Sequence, residues 1–302
     1  VTAPLVWLPF DPADLGSPPA DLRYEVIDPS REVPDSVADV AFHVLPYQLG
    51  SAGFDVLARM GGLRVLQTLT AGVDAVLPHV PEGVTLCSGR GIHDASTAEL
   101  ALTLVLAGLR GIPDAVRSQD RHEWAPRWRP ALADKHVLVV GHGAIGAAIE
   151  ARLLPFEVTV DRVARRARAG VHGMDALAGL LSAADVVIVV VPLTGATRGL
   201  VDAAFLSRLR DGALLVNVSR GPVVDQDALL AELTTGRITA AVDVTDPEPL
   251  PASSPLWSAP GLLVTPHVGG ATSAMWPRAH RLVRDQLHRF AAGEPLLNVV
   301  DR

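Results

Sequence analysis

The chain has one cysteine, Cys87, and one lysine, Lys135, among its 302 residues. A lone cysteine cannot close an internal disulfide, which fits a reducing compartment, so a cytoplasmic protein is expected. No apolar run approaches the roughly 18 residues that span a bilayer, so membrane insertion is not expected. No charged segment followed by an apolar stretch opens the chain, so export is not expected either. Positive charge is scarce as well: 26 Lys and Arg against 33 Asp and Glu leave a net charge of −7, which argues against a nucleic-acid partner. Repeats and low-complexity tracts are absent. His93, His122 and His172 lack partners at metal-ligand spacing, so no metal is expected, and no nucleophile-elbow pattern surrounds Ser219.

What remains is ordinary globular material, 49% apolar and 20% charged, and long enough for two domains. Two stretches of alternating strands and helices can be read. In the first, short β-like runs fall at Leu5–Leu8, Tyr24–Ile27, Val40–Val44, Leu63–Leu69 and Val84–Cys87, with a helical stretch over Phe54–Met60. A long apolar-periodic helix follows over Ala95–Leu109, with Asp94 as its expected N-cap. The second stretch runs from about Lys135 to His267, and a final helix over Ser273–Ala292 stops at Gly293 and Pro295. Alternation of this kind implies an α/β fold with doubly wound parallel sheets. The Val- and Ile-rich Asp185–Val191 reads as a central strand buried on both faces.

The uncommon residues sit just past the ends of the apolar strands. His136–Val140 leads into Gly141-His-Gly-Ala-Ile-Gly146, Val186–Val191 into Pro192-Leu-Thr194, and Leu214–Val218 into Ser219-Arg220-Gly221. Thr239–Val242 leads into Asp243, and Leu262–Thr265 into Pro266-His267. In open parallel sheets the ligand crevice lies beyond these carboxyl ends, so the loops should converge on one cleft. The G-x-G-x-x-G loop follows a strand and opens a helix from Ala144, the context a dinucleotide pyrophosphate requires. His142, inside that loop, is expected to face solvent or phosphate. The next strand, about Glu157–Val163, ends in Ala164-Arg-Arg-Ala-Arg168 where a ribose-binding acid commonly stands, while Asp161 lies within the strand. A carboxylate would repel a 2′-phosphate and guanidinium groups can hold one, so Arg165, with Arg166 or Arg168, points to NADP(H) as the preferred cofactor, NAD(H) remaining possible.

At this point the chain resembles the D-isomer-specific 2-hydroxyacid dehydrogenases. The matching pieces are Gly141-x-Gly-x-x-Gly146, Val191-Pro-Leu-Thr194, Asn217-Val-Ser-Arg-Gly221, Asp243-Val-x-x-x-Glu248-Pro249, Thr265-Pro-His-Val-Gly-Gly270 and Thr70-Ala-Gly-Val-Asp74. They occur in the family's order and cover essentially the whole chain. The resemblance implies that Arg220 binds and polarises a 2-oxo acid, that His267 is the acid and base, and that Glu248 supports His267. Beside Arg165 from the residue reading above, it also implies a cofactor surface from Gly141, Gly143, Ala144, Ile145, Gly146, Pro192, Thr194, Val218, Ser219, Asp243, Gly269 and Gly270. Asp243 would accept from the nicotinamide carboxamide. Thr70, Ala71 and Gly72 would hold the substrate carboxylate. The chemistry is consistent, since imidazole titrates near neutral pH and a neighbouring carboxylate stabilises its charged form.

The resemblance further implies a Rossmann cofactor domain, residues 96–275, inserted in a flavodoxin-like substrate domain formed by 1–95 and 276–302. A homodimer is implied, built on the long Ala95 helix and the arm around Trp124–Arg129, which the sequence leaves open as an interface or a surface hairpin. Two departures stand out: Ala164 in place of an acid, and the bulky Met275-Trp276-Pro277. Tyr47, Phe54 and Trp276 are candidates for the substrate wall. Phosphite dehydrogenases resemble this chain but use a substrate-domain lysine that it lacks, and formate dehydrogenases lack a glutamate matching Glu248. The rival from another class is a non-catalytic NAD(P)-sensing or corepressor-like binding protein, which can retain the same three residues.

Overall fold

The computed structural model describes residues 2–47 and 53–301. The chain divides into two compact units, one formed by residues 1–93 and 273–302, the other by 94–272. In the first unit five parallel strands, β1 (Leu5–Leu8), β2 (Arg23–Val26), β3 (Val40–Val44), β4 (Val65–Gln67) and β5 (Thr85–Cys87), lie in the order β2-β1-β3-β4-β5. Alternate side chains feed opposite faces, as the strand's two-residue period requires. Val6, Leu8, Phe42, Val44 and Cys87 pack with Met275, Ala279, Val283 and Leu287 of the terminal helix (Met275–Ala292). Leu5, Trp7, Leu66 and Leu86 pack on the other face with Phe54, Leu57 and Val76. Burial in that second layer excludes Phe54 from a substrate wall, correcting the sequence reading. The expected helix around it is a single 3-10 stretch, Asp55–Arg59.

The second unit opens with α1 (Asp94–Arg110) and α2 (Ile112–Asp120), divided at the left-handed Gly111. Asp94, expected as the N-cap, is instead the first helical residue, and its Oδ1 is buried without a partner among the described residues. Six parallel strands follow: β6 (His136–Val140), β7 (Thr159–Val163), β8 (Val186–Val189), β9 (Leu214–Asn217), β10 (Thr239–Val242) and β11 (Leu262–Val264). Their order is β7-β6-β8-β9-β10-β11, so the winding changes direction between β6 and β8. That is where the topology of a doubly wound sheet opens a ligand crevice. Val186–Val189 is fully buried, Val186 and Ile188 packing with Leu104 of α1 and Ile149 of α3 (Ala144–Leu153). Val187 and Val189 face the layer of α4 (Leu177–Leu180), α5 (Ala203–Ser207) and α6 (Gln226–Thr234). Asp202 and Asp225 cap α5 and α6 by accepting from first-turn N–H groups. The terminal helix, α7, ends at Gly293 in the left-handed region, where the Glu294 N–H returns to the Arg289 carbonyl.

Candidate active site

The glycine loop between β6 and α3 is built for close approach. Gly141 has φ +107°, and its N–H donates to the Val163 carbonyl at the end of β7 (2.8 Å). A Cβ at Gly146 would collide with the Gly141 carbonyl oxygen, so the loop closes only because Gly146 has none. At Gly143 a Cβ would meet nothing within 4 Å, which leaves open space over the first turn of α3. The first intrahelical bond runs from Ala147 N–H to the Gly143 carbonyl (3.0 Å). The N–H groups of Ala144, Ile145 and Gly146 therefore stay unpaired within the helix, a ready anion site. These features fit a dinucleotide pyrophosphate.

His142 is largely screened from solvent, one of the two surroundings the sequence offered for it, the other being phosphate. Its ring is 12% exposed and its Nε2 lies 2.7 Å from Glu150 of α3. In the middle of β7, Asp161 is engaged with His136 of β6 (2.8 Å). Arg165 and Arg166 are exposed, and neither guanidinium has a partner among the described residues. Pro192 and Thr194 follow β8 at the surface, their loop closed by the Thr197 hydroxyl on the Pro192 carbonyl (2.6 Å).

After β9 the buried Asn217 shapes the turn that carries Arg220. Its Oδ1 accepts the Ser219 N–H (3.0 Å) and hydroxyl (2.5 Å), and its Nδ2 donates to the Arg220 carbonyl (3.2 Å). Val218 and Ser219 are thereby turned inward, and Arg220 donates through Nη1 to the Ser219 carbonyl (2.7 Å). Asn217 stood inside a matched motif, yet nothing in its spacing announced this role. A polar residue closing the apolar run Leu214–Val216 was the available signal.

Asp243, 3% exposed after β10, grips the loop that follows β11. Its Oδ1 accepts the Thr265 hydroxyl (2.6 Å) and Val268 N–H (2.9 Å), and its Oδ2 the Gly269 N–H (2.9 Å). The Gly269 carbonyl in turn accepts the Thr97 hydroxyl of α1 (3.3 Å). His267 is held at φ +52° with Nδ1 2.7 Å from Glu248 Oε2, while Glu248 Oε1 accepts the Thr245 N–H (3.0 Å). A carboxylate only accepts, so Nδ1 carries the proton of this bond and Nε2 is left for another partner.

The hydrogen bond to Glu248 raises the His267 pKa above its ordinary value, against desolvation and the Arg220 charge, with Asp243 adding to the rise. Burial works against ionisation of Glu248. The hydrogen bonds from His267 and Thr245, with the charges of His267 and Arg220, outweigh it and hold its pKa below the ordinary value. Arg220, Glu248 and His267 thus meet within electrostatic reach in the second unit.

In the first unit the Thr70–Gly72 loop follows β4. The Thr70 hydroxyl donates to the Gly72 carbonyl (2.7 Å), and the N–H groups of Ala71 and Gly72 have no partner among the described residues. The loop's root is fixed by the buried Gln67, whose Nε2 donates to the carbonyls of Thr68 (2.8 Å) and Ser88 (3.1 Å). Tyr47 lies ring to ring with His93 (5.4 Å), and Trp276 packs edge-on to Phe10 (6.1 Å).

An anion-binding glycine loop at the winding reversal, with an Arg, a Glu–His pair and an Asp at successive strand ends, defines an α/β dinucleotide-binding oxidoreductase. Residues 102–269 match the model of the D-isomer specific 2-hydroxyacid dehydrogenase NAD-binding domain. The human glyoxylate reductase/hydroxypyruvate reductase is 32% identical over 249 residues, 78% of this chain and 76% of that protein. A D-isomer specific 2-hydroxyacid dehydrogenase from Xanthobacter autotrophicus Py2, solved with NADPH and MES, superposes with a TM-score of 0.84 at 32% identity. The match covers 100% of this chain and 98% of that one. A glyoxylate/hydroxypyruvate reductase from Sinorhizobium meliloti, described as NADPH-dependent and solved with NADP and sulfate, gives 0.84 at 28% identity over 99% and 98% of the chains. The chain belongs to the D-isomer specific 2-hydroxyacid dehydrogenase family. It is an NAD(P)-dependent enzyme whose second unit contains the nicotinamide-dinucleotide domain. Among the described residues no single helix is long and apolar enough to cross a membrane.

Proposed function

We propose that the protein reduces a small 2-oxo acid to the D-2-hydroxy acid, with NADPH as its preferred donor. The observation that carries the reading is the Glu248–His267 pair (2.7 Å) beside Arg220, with His267 Nε2 left available. When bound, the reduced nicotinamide supplies a hydride to the carbonyl carbon. His267 donates the Nε2 proton to the carbonyl oxygen as it becomes an alkoxide, and Glu248 stabilises the imidazolium before that transfer. Arg220 pairs with the substrate carboxylate and polarises the carbonyl, a planar two-point contact that a lysine cannot reproduce. Residues 1–95 and 276–302 form the substrate domain in this reading, and Thr70, Ala71 and Gly72 serve the substrate carboxylate. The remaining cofactor contacts are assigned to the glycine loop, Pro192, Thr194, Val218, Ser219, Asp243, Gly269 and Gly270. For Val218 and Ser219 these contacts run through the backbone, since their side chains face inward.

The preference for NADPH is supported by Arg165 and Arg166, unpartnered where β7 ends, and by the absence of a carboxylate there. The test is loss of nicotinamide absorbance with NADPH and NADH across a panel including glyoxylate, hydroxypyruvate, pyruvate and phenylpyruvate. Turnover of one or more acids, faster with NADPH, is the expected result. Cofactor binding without turnover of any 2-oxo acid would favour a sensor. Turnover with NADH alone would remove the argument from Arg165.

The same reading makes the chain a homodimer through the segment after α2. Residues 123–131 form no helix or strand, so there is no hairpin, and Trp124 and Trp128 are 96% and 102% exposed. Ile112 and Val116 of α2 are also about half exposed. Light scattering should give twice the 31.8 kDa chain mass, and W124S/W128S should give monomer.

A further inference from the structure

Four charged or titratable side chains form a chain beneath the glycine loop. Arg168 donates through Nη2 to the His142 carbonyl (2.6 Å) and lies 3.0 Å from His142 Nδ1. A guanidinium cannot accept, so Nδ1 is the acceptor and the ring proton sits on Nε2, donating to Glu150 Oε2. Glu150 Oε1 in turn accepts from Arg162 of β7 through Nε (2.6 Å) and Nη2. The Arg162 hydrogen bond is the largest influence keeping the Glu150 pKa below its ordinary value, so the acceptor of this chain is charged.

The geometry bears on two loops together. The His142 carbonyl and the Gly143 N–H belong to one trans peptide plane and point opposite ways, so holding the carbonyl fixes the direction of the N–H. That N–H has no acceptor among the described residues. Arg168 also roots the turn after β7, where its N–H and carbonyl exchange hydrogen bonds with Val171 (3.0 and 2.9 Å) and the Ala164 N–H donates to the His172 carbonyl (2.9 Å). Arg165 and Arg166 lie on this same turn and remain unpartnered.

We infer that Arg168 is a positioning residue and not a phosphate ligand: it latches the 164–172 turn to the His142 peptide and presets the glycine loop for the pyrophosphate common to NADH and NADPH. Discrimination of the 2′-phosphate is then left to Arg165 and Arg166. This rests on the cofactor reading proposed above and removes Arg168 from the residues that the sequence offered beside Arg165 for the 2′-phosphate.

The experiment is fluorescence titration of the purified full chain with NADPH and with NADH. R168A raises both dissociation constants by the same factor, about tenfold for the loss of charge-assisted hydrogen bonds, and leaves their ratio unchanged. R168K, which keeps one donor for the carbonyl, recovers part of the loss for both. R165A changes the ratio by weakening NADPH alone. His142→Ala keeps the carbonyl that Arg168 holds and removes only the ring contacts, so it gives a smaller loss, again equal for both cofactors, and serves if R168A does not fold. Selective weakening of NADPH by R168A would make Arg168 a phosphate ligand and overturn the inference. Wild-type affinities for both cofactors in folded R168A would overturn it too. Failure of the unaltered protein to bind either cofactor would overturn the cofactor reading and this inference together.

Discussion

The backbone N–H of His267 donates to the carbonyl of Asp243 (2.8 Å), and the next two N–H groups along the chain close on the Asp243 carboxylate. Three successive donors converging on one buried residue hold His267 in a left-handed conformation that a side-chain-bearing residue enters only at a cost. Asp243→Asn sets an amide NH2 against one of those donors, and an unsatisfied buried polar group costs about 1–3 kcal/mol. Initial rates should fall and the thermal midpoint should drop. Wild-type values for both would show that the loop keeps its shape unaided.

Glu248 governs the acid–base behaviour of His267. Because its hydrogen bond raises the His267 pKa, the imidazolium persists to higher pH, and reduction slows as pH rises through that value. Glu248→Gln should move the falling limb of the reduction profile to lower pH and reduce the rate at neutral pH. The raised pKa also carries a sign for stability. Its contribution is full below the unfolded value of 6.5 and fades as pH rises through the folded value. With both side chains partly exposed that contribution is small. An unmoved pH–rate profile in the variant would remove Glu248 from the proton-transfer assignment.

Gly143 and Gly146 separate function from folding within one loop. Gly146→Ala forces a methyl group onto the Gly141 carbonyl and should destabilise by roughly 2–3 kcal/mol in a denaturant melt. Gly143→Ala meets no protein atom and should melt like the unaltered chain, while weakening dinucleotide binding about tenfold by filling the approach to the pyrophosphate. Equal stability of the two variants would contradict the loop's packing.

His43 makes the first unit sensitive to acid. It is fully buried in β3, and desolvation lowers its pKa from 6.5 to about 4. Below pH 6.5 the unfolded chain takes up a proton that the folded one refuses, so stability falls on acidification. The loss attributable to His43 is roughly 2–3 kcal/mol at pH 4.5. His43→Leu should therefore lose less stability than the unaltered protein between pH 7 and 4.5 in urea melts. Parallel losses would assign the acid sensitivity elsewhere.

The sequence by itself determined the layered architecture and where chemistry could sit. Uninterrupted apolar runs such as Leu5–Leu8 and Val186–Val189, buried at every position, are a local property, and a parallel sheet sends every strand's carboxyl end to one edge. Arg220, Asp243 and His267 were therefore legible as strand-end residues before any contact was known. The tertiary structure alone decided which partners the polar side chains took. Arg168 reaches His142 across 26 positions, and Glu150 is shared by His142 and Arg162. Gln67 meets Gln286 across 219 positions (2.8 Å). It also decided which face received Phe54, and that Asp94 opens its helix without capping it. A hydrophobic pattern repeats over a few residues, so the chain records it locally. A hydrogen bond depends on distance and direction between atoms remote in the chain, and only the folded arrangement fixes those.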